Sequence, residues 1–460
     1  MSATMAYMKL LLCAAFLAPQ DLINGLVIDI RDGKVEGLTS STRAGTTFNS
    51  FLAMRYAEAP IGDLRFELPQ KVKPWNGVYD ATEEKHICYQ VNMDSDNENE
   101  DCLFINVFTP QNLQGNITSD IPVLVFIHGG GFIGGTGYIV EGGVGPNFFM
   151  DSNIIFVAFN YRLGPFGFLS TGDEVIPGNL GLKDQETSSD IQISKGFFYA
   201  PVLEVEHESA FITERIYELF ENGRFNKVPV IMGINAEESI GLLENGDVLS
   251  EIFNDYDNFP SIMTPFDLHL DNVTKDTVGH LIKDFYAGEE NFKDNLALGI
   301  HFHSAHDFEK ASIKQAQLQA PYVQVYFYEF TYSGLMGNNK DKLADTGNVT
   351  HGEELNYLFS KWYSPEIPDN TDLTYFPEDD RNVHYYLITL WTNFVKYLNP
   401  TPKENQMLQN VSWSAVQPNQ FQFLNIGKDL VMTLDYPKRE SYVFWQNIFD
   451  QYAVKPLDTF

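Results

Sequence analysis

Several short runs of β-branched and aromatic residues lie along this chain without the alternation expected of a half-solvated strand. Val123-Leu124-Val125-Phe126-Ile127 ends in a glycine cluster, and residues 154–159 read Ile-Ile-Phe-Val-Ala-Phe. Val228-Pro229-Val230-Ile231-Met232-Gly233 and Val323-Gln324-Val325-Tyr326-Phe327-Tyr328 follow. Uninterrupted apolar strands must be covered on both faces, which means a mostly parallel central sheet flanked by helices. Helical spacing supplies the covers. Leu387, Leu390, Trp391, Phe394 and Leu398 recur along residues 383–398, and residues 442–452 form a similar closing helix. The class is α/β. No repeat, low-complexity tract or Pro/Ser linker divides the 460 residues, so residues 22–460 read as one domain.

With 36 Phe and 23 Tyr, and 44% hydrophobic residues, the chain has apolar material for a large core. Its formal net charge of −32 repels nucleic acid and anionic membranes, which excludes both as partners. The ordinary reading of that charge is solubility in a crowded fluid; the sharper one is steering of cationic substrates. Lys9 precedes an apolar run from Leu10 to Ala18, too short to span a membrane, and residues 1–18 read as a secretory signal peptide rather than a buried first element. No later stretch has the length of a spanning helix, so a secreted, extracellular product is expected. Without Cys13, only Cys88 and Cys102 remain. In an oxidising compartment they pair across a short acidic loop, contributing about 3 kcal/mol by loop entropy; the alternative is two inert thiols. Sequons at Asn116, Asn272, Asn348 and Asn410 fit a glycoprotein.

His128-Gly129-Gly130-Gly131-Phe132 stands directly after an expected strand. Consecutive glycines let backbone N–H groups turn inward, where they can meet a developing oxyanion. An ordinary glycine-rich turn is the competing reading, and the strand position favours the oxyanion hole.

Several further stretches in fixed order carry a family likeness: 51–57 (Phe-Leu-Ala-Met-Arg-Tyr-Ala) with Glu58-Ala59-Pro60, 100–107 (Glu-Asp-Cys-Leu-Phe-Ile-Asn-Val), 160–169 (Asn-Tyr-Arg-Leu-Gly-Pro-Phe-Gly-Phe-Leu) and 178–185 (Gly-Asn-Leu-Gly-Leu-Lys-Asp-Gln). With the glycine loop they resemble the type-B carboxylesterases, cholinesterase-like α/β-hydrolases, and in particular their secreted insect members. The resemblance implies an α/β-hydrolase fold and a serine esterase acting on small-molecule carboxylic esters, with no cofactor and no metal. It leaves the oligomeric state open. It makes Gly130 and Gly131 oxyanion donors, Cys88–Cys102 the first family disulfide, and Arg55–Glu100 and Arg162–Asp184 buried ion pairs. His351, in Thr350-His351-Gly352-Glu353-Glu354, resembles the catalytic histidine, and Glu238 the acid that fixes its tautomer. Ser239 follows where the family has glycine. The loop between Cys88 and Cys102 has no Trp, which weighs against choline esters.

The nucleophile is missing. No Gly-x-Ser-x-Gly elbow occurs in the chain. After Gln185 come Glu186-Thr187-Ser188-Ser189-Asp190, and then residues 197–204, which resemble a stretch well downstream of the family serine. The domain is therefore expected to be internally shortened at Gln185/Glu186 and to lack the nucleophile strand. Ser209 and Ser170 are the nearest substitutes, but neither has the flanking glycines of an elbow. Loss of an inner strand would leave buried N–H and C=O groups at roughly 1–3 kcal/mol each, against a total stability of about 5–15 kcal/mol. Either the sheet closes with altered register or the chain is unstable. The chain is thus expected to be an inactive esterase relative; the alternative is a non-catalytic secreted protein that binds a ligand or partner on the same fold.

Overall fold

The computed structural model describes residues 26–90, 96–111, 121–138, 144–188, 201–337, 339–360, 369–457 and 460. The signal-peptide reading of residues 1–18 and the sequon at Asn116 lie outside them. Among the described residues eleven strands form two sheets. The first contains β1 (Leu26–Ile30), β2 (Gly33–Ser41), β3 (Thr47–Arg55), β4 (Val78–Asp80), β5 (Phe104–Pro110), β6 (Val123–Ile127) and β7 (Ile155–Phe159). Its order is β1-β2-β3-β5-β7-β6, with β4 beside β2. The second contains β8 (Val230–Asn235), β9 (Val325–Phe330), β10 (Phe423–Ile426) and β11 (Leu430–Thr433), ordered β11-β10-β9-β8.

The four apolar runs become β6, β7, β8 and β9, as expected, and the class is α/β. Parallel pairing is found beside the site, in β6/β7, β8/β9 and β9/β10. The N-terminal hairpins and the last pair are antiparallel, so the sheets are mixed. Helices Glu378–Tyr397 and Arg439–Tyr452 cover the second sheet where helical spacing placed them. Leu398, expected inside the first of these, instead takes φ 54° and ends it as a C-cap, leaving its side chain 54% exposed.

β6 and β8 do not pair. Among the described residues, each is the terminal strand of its sheet. All of β6 and the first four residues of β8 are part-exposed or exposed. Water therefore reaches these edges and meets backbone groups that a buried strand would leave unsatisfied. Among the described residues no ladder joins the two sheets, and the apolar side chains at both terminal strands are half covered. Leu124 and Phe126 from β6 and Ile231 from β8 pack against one common core with Phe156, Tyr326 and Phe330.

Two charged pairs were expected to be buried. Arg162 and Asp184 are: they are joined through Nε–Oδ2 and Nη2–Oδ1 bonds of 2.8 Å each, with side chains 4% and 0% exposed. The Arg55–Glu100 pairing is corrected. Arg55 pairs with Asp101 over the ring of Phe104, while Glu100 pairs with Arg65. Glu100 lies in a bend where the Arg65 guanidinium takes both of its carboxylate oxygens, which leaves Asp101 to face Arg55. Cys88 and Cys102 form a disulfide with Cα atoms 4.9 Å apart. Asn272, Asn348 and Asn410 are exposed, a necessary condition for glycosylation.

The Arg162–Asp184 pair sits beside the Gln185/Glu186 junction and supplies the first prediction. Asp184→Asn strands a guanidinium in the interior, and urea unfolding should lose about 3–5 kcal/mol. A loss below ~1 kcal/mol would show that the Arg162 charge is solvated after all.

Candidate active site

The glycine loop leaves β6 with three residues in the left-handed region: Gly130 (φ 115°), Gly131 (φ 60°) and Phe132 (φ 63°). A Cβ on Gly130 would lie 2.1 Å from the Gly134 carbonyl oxygen, so no other residue fits. The turn closes on itself through Ile133 N–H and Gly134 N–H, each donating to the Gly130 carbonyl at 3.1 Å. Gln90 clamps its far end, accepting from Gly135 N–H at 2.8 Å. The N–H groups of Gly130 and Gly131 donate to no acceptor among the described residues, as donors held for an oxyanion would. His128, at the loop's start, stacks on Tyr161 with ring centroids 4.3 Å apart. Burial pushes its imidazole down to about 4, so it is neutral at ordinary pH.

His351 and Glu238 meet. His351 Nδ1 donates to Glu238 Oε2 at 2.8 Å, and the histidine's backbone N–H donates to the Glu238 carbonyl at 3.1 Å. Glu238 is 6% exposed, while the histidine side chain is 64% exposed. The second carboxylate oxygen accepts from Asn235 N–H at 2.7 Å. Fixing the proton on Nδ1 leaves Nε2 as the free base, the tautomer required to accept a hydroxyl proton. The hydrogen bond to Glu238 holds the imidazole above its ordinary value, against a smaller opposing effect of burial. Asn235 was overlooked in the sequence. Its side-chain amide donates to the Thr350 carbonyl and to Glu354 Oε2, each at 2.7 Å, tying the histidine loop to the end of β8. Its only sequence signal is its place at the end of an apolar run. Phe308 packs on the His351 ring at 4.6 Å and was likewise missed. Ser239 has φ −99° and donates its N–H to Ser304 Oγ at 3.0 Å, so glycine is not needed there.

A cleft of about 1310 Å³ opens beside this pair, lined by Glu238, Thr350, His351, Phe308 and Ser170 among others. The glycine loop is not among its lining residues. The structure thus brings His351 and Glu238 together, while Gly130 and Gly131 are not among the residues that line this cleft. Among the described residues, no hydroxyl bonds to His351 Nε2. Ser170 Oγ donates to the Pro177 carbonyl at 3.2 Å and accepts from Gly172 N–H, a structural turn. Ser209 Oγ contacts His207 Nδ1 at 3.1 Å, and His207 Nε2 lies 3.2 Å from Glu204. Glu204 is already committed to Lys183 at 2.6 Å and to Asn179 at 2.8 Å, and Ser209 is not among the residues lining the cleft. Among the described residues no cluster of three or more His, Cys, Asp or Glu could hold a metal ion, and no helix is long and apolar enough to cross a membrane.

The architecture is that of the α/β-hydrolases. It superposes on the crystal structure of juvenile hormone esterase from Manduca sexta, with OTFP covalently attached, at a TM-score of 0.77. That match has 21% identity and covers 93% of this chain and 100% of the other. At the level of sequence, a profile of the carboxylesterase family matches residues 24–188 and 186–445. The chain belongs to the carboxylesterase family. Esterase FE4 of Myzus persicae is 27% identical over 506 residues, spanning 84% of this chain and 86% of that protein. Juvenile hormone esterase of Tribolium castaneum is 43% identical over 157 residues, 33% of this chain and 26% of its own length.

Glu238→Gln removes the charge that favours the His351 imidazolium. The His351 titration midpoint, followed by NMR of ring-labelled histidine, should fall toward the ordinary value of about 6.5, while His128 keeps its midpoint near 4. A His351 midpoint unmoved by the substitution would mean that the carboxylate does not orient the ring in solution.

Proposed function

We propose that this chain is a secreted carboxylesterase relative that has lost its nucleophile elbow, and that it does not turn over esters. The observation that carries this reading is a base with nothing to deprotonate: His351 is oriented by Glu238, yet among the described residues no hydroxyl bonds to its free nitrogen. Three further observations support it. The family profile matches in two pieces that meet at residues 186–188. Since 84% of this chain is about 386 residues, about 120 of the 506 positions aligned with esterase FE4 face no residue of this chain. The two sheets end at β6 and β8, whose facing sides lack a partner strand among the described residues.

In a serine esterase the imidazole takes the nucleophile's proton, the alkoxide attacks the ester carbonyl, and backbone N–H groups hold the oxyanion. This chain keeps the proton acceptor and the glycine donors but has no attacking oxygen between them. Removing a triad member from an otherwise intact site leaves on the order of 10³–10⁴ over water. Even that residue requires the donors and the substrate to share one cleft. A second reading, a non-catalytic ligand-binding protein, is favoured by the cleft itself. Its volume of about 1310 Å³ exceeds the range of roughly 300–1,000 Å³ usual for small-molecule sites, and aromatic and aliphatic side chains form much of its wall.

Secreted protein should be treated with a fluorophosphonate probe beside a variant in which a family elbow segment is inserted between Gln185 and Glu186. The chain as it stands should remain unlabelled and the inserted variant should label strongly. An adduct on Ser209 or Ser170, or hydrolysis of a simple aryl ester that disappears in His351→Ala, would overturn the proposal.

A further inference from the structure

Two consecutive glutamates each engage a histidine. Glu238 takes His351, while Glu237 takes His301, on helix Leu296–His303, with Nδ1 3.0 Å from Glu237 Oε2. The other ring nitrogen of His301, Nε2, lies 2.8 Å from the carbonyl oxygen of Asp345. Both nitrogens thus face acceptors, and only the imidazolium carries the two N–H groups that satisfy both. Asp345 has φ 65° and begins the loop that leads to His351. The same loop is fastened again by Glu237, whose Oε2 accepts from Gly347 N–H at 3.2 Å and whose backbone N–H donates to the Val349 carbonyl at 3.0 Å. Ser304 Oγ completes the carboxylate at 2.5 Å.

We propose that His301 is a positioning residue, an imidazolium clip that joins the Asp345 carbonyl to Glu237 and thereby holds the His351 loop in register with Glu238. The proposal takes from the functional reading only that His351 and Glu238 form the site's acid–base pair. It holds whether or not this chain turns over ester. The neutral ring keeps a single N–H and must release one of the two acceptors. The charged and titratable groups around His301 are Glu237, which favours its charge, and Lys438, which opposes it from beside β9. The hydrogen bond to Glu237 raises the imidazole above its ordinary value, outweighing burial. Burial pushes Glu237 upward in turn, but the bonds from His301 and Ser304 bring it below the usual carboxylate range, so the acceptor stays charged. The sign follows from a raised native value. The clip is complete below the unfolded value of about 6.5 and is lost as pH rises through the higher native one.

The test is hydrogen exchange of the peptide covering residues 343–351, as protection factors against pH, on the full chain. In the unaltered chain, protection should be flat below pH ~6.5 and fall about tenfold or more as His301 deprotonates. His301→Phe should show the low value at every pH. His301→Arg, whose charge does not titrate in this range, should keep protection high and flat. The His351 titration midpoint should fall in His301→Phe and recover in His301→Arg, which a merely space-filling role would not produce. If His301→Phe fails to fold, the pH course of the unaltered chain and the His301→Arg result decide alone. A pH step that persists in His301→Arg, or protection in His301→Phe equal to that of the unaltered chain at low pH, would overturn the clip. Neither outcome bears on fluorophosphonate labelling, so the two proposals fail separately.

Discussion

The two sheets are joined by a seam of side chains rather than by a ladder of hydrogen bonds, and the arrangement of the site depends on that seam. Phe359, which follows the short helix Leu355–Leu358, packs against Phe126 of β6 at 5.0 Å, Phe149 at 5.4 Å and Phe156 of β7 at 5.9 Å. Beside it, Gly145 N–H donates to the Ser360 carbonyl at 2.6 Å. Apolar contact is strong in sum but non-directional. It can keep two sheets together without fixing their register, whereas a shared strand would fix it residue by residue.

Burial of ionisable groups is concentrated on one side of this seam. Glu237, Glu238 and Glu309 are all below 9% exposed, with His301, His351 and Lys438 set among them. So many carboxylates cannot all be charged in a dry setting. Burial, abetted by the charges of Glu237, Glu238 and Glu329, raises Glu309 to about 8, so it is mostly protonated at neutral pH. That leaves Glu237 and Glu238 as the carboxylates with close cationic or N–H partners. Lys438 steadies the cluster by donating to the Ala236 carbonyl at 2.5 Å and lying 3.7 Å from Glu329. The −32 surface adds a general negative field, but short-range contacts decide which acid keeps its proton.

The uninterrupted apolar runs were enough to read β6 through β9, although only β7 and β9 are buried along most of their length while β6 and most of β8 stay part-exposed. The Glu238–His351 contact was legible only through resemblance, since 113 residues separate the two and no local pattern links them. Asn235 and His301 were not legible at all. Their roles come from a turn and a helix end that meet only after folding, and neither residue type is distinctive alone. The Arg55 pairing was not legible because Glu100 and Asp101 are adjacent acids, and the competing guanidinium of Arg65 comes near only after folding. The part-exposure of β6 and of the first four residues of β8 was likewise not legible in their apolar runs.

The local order of the His351–Glu238 pair and of the glycine loop follows from where each finds its support. Every group that fixes His351 comes from the C-terminal side of the Gln185/Glu186 junction: Asn235 and Glu238 at the end of β8, Phe308 on the following helices, and Thr350 and Glu354 beside the histidine itself. The glycine loop is supported from the N-terminal side, by Gln90, by Tyr161, whose hydroxyl donates to the His128 carbonyl at 2.9 Å, and by Gly164, whose N–H donates to the Phe132 carbonyl at 2.7 Å. Neither half borrows a hydrogen bond from the other to hold its shape. Each can therefore survive alteration at the junction with its local geometry intact, while the property that chemistry needs, one cleft shared by donors and base, belongs to neither half. Local order at His351 therefore reports on its own surroundings and not on turnover.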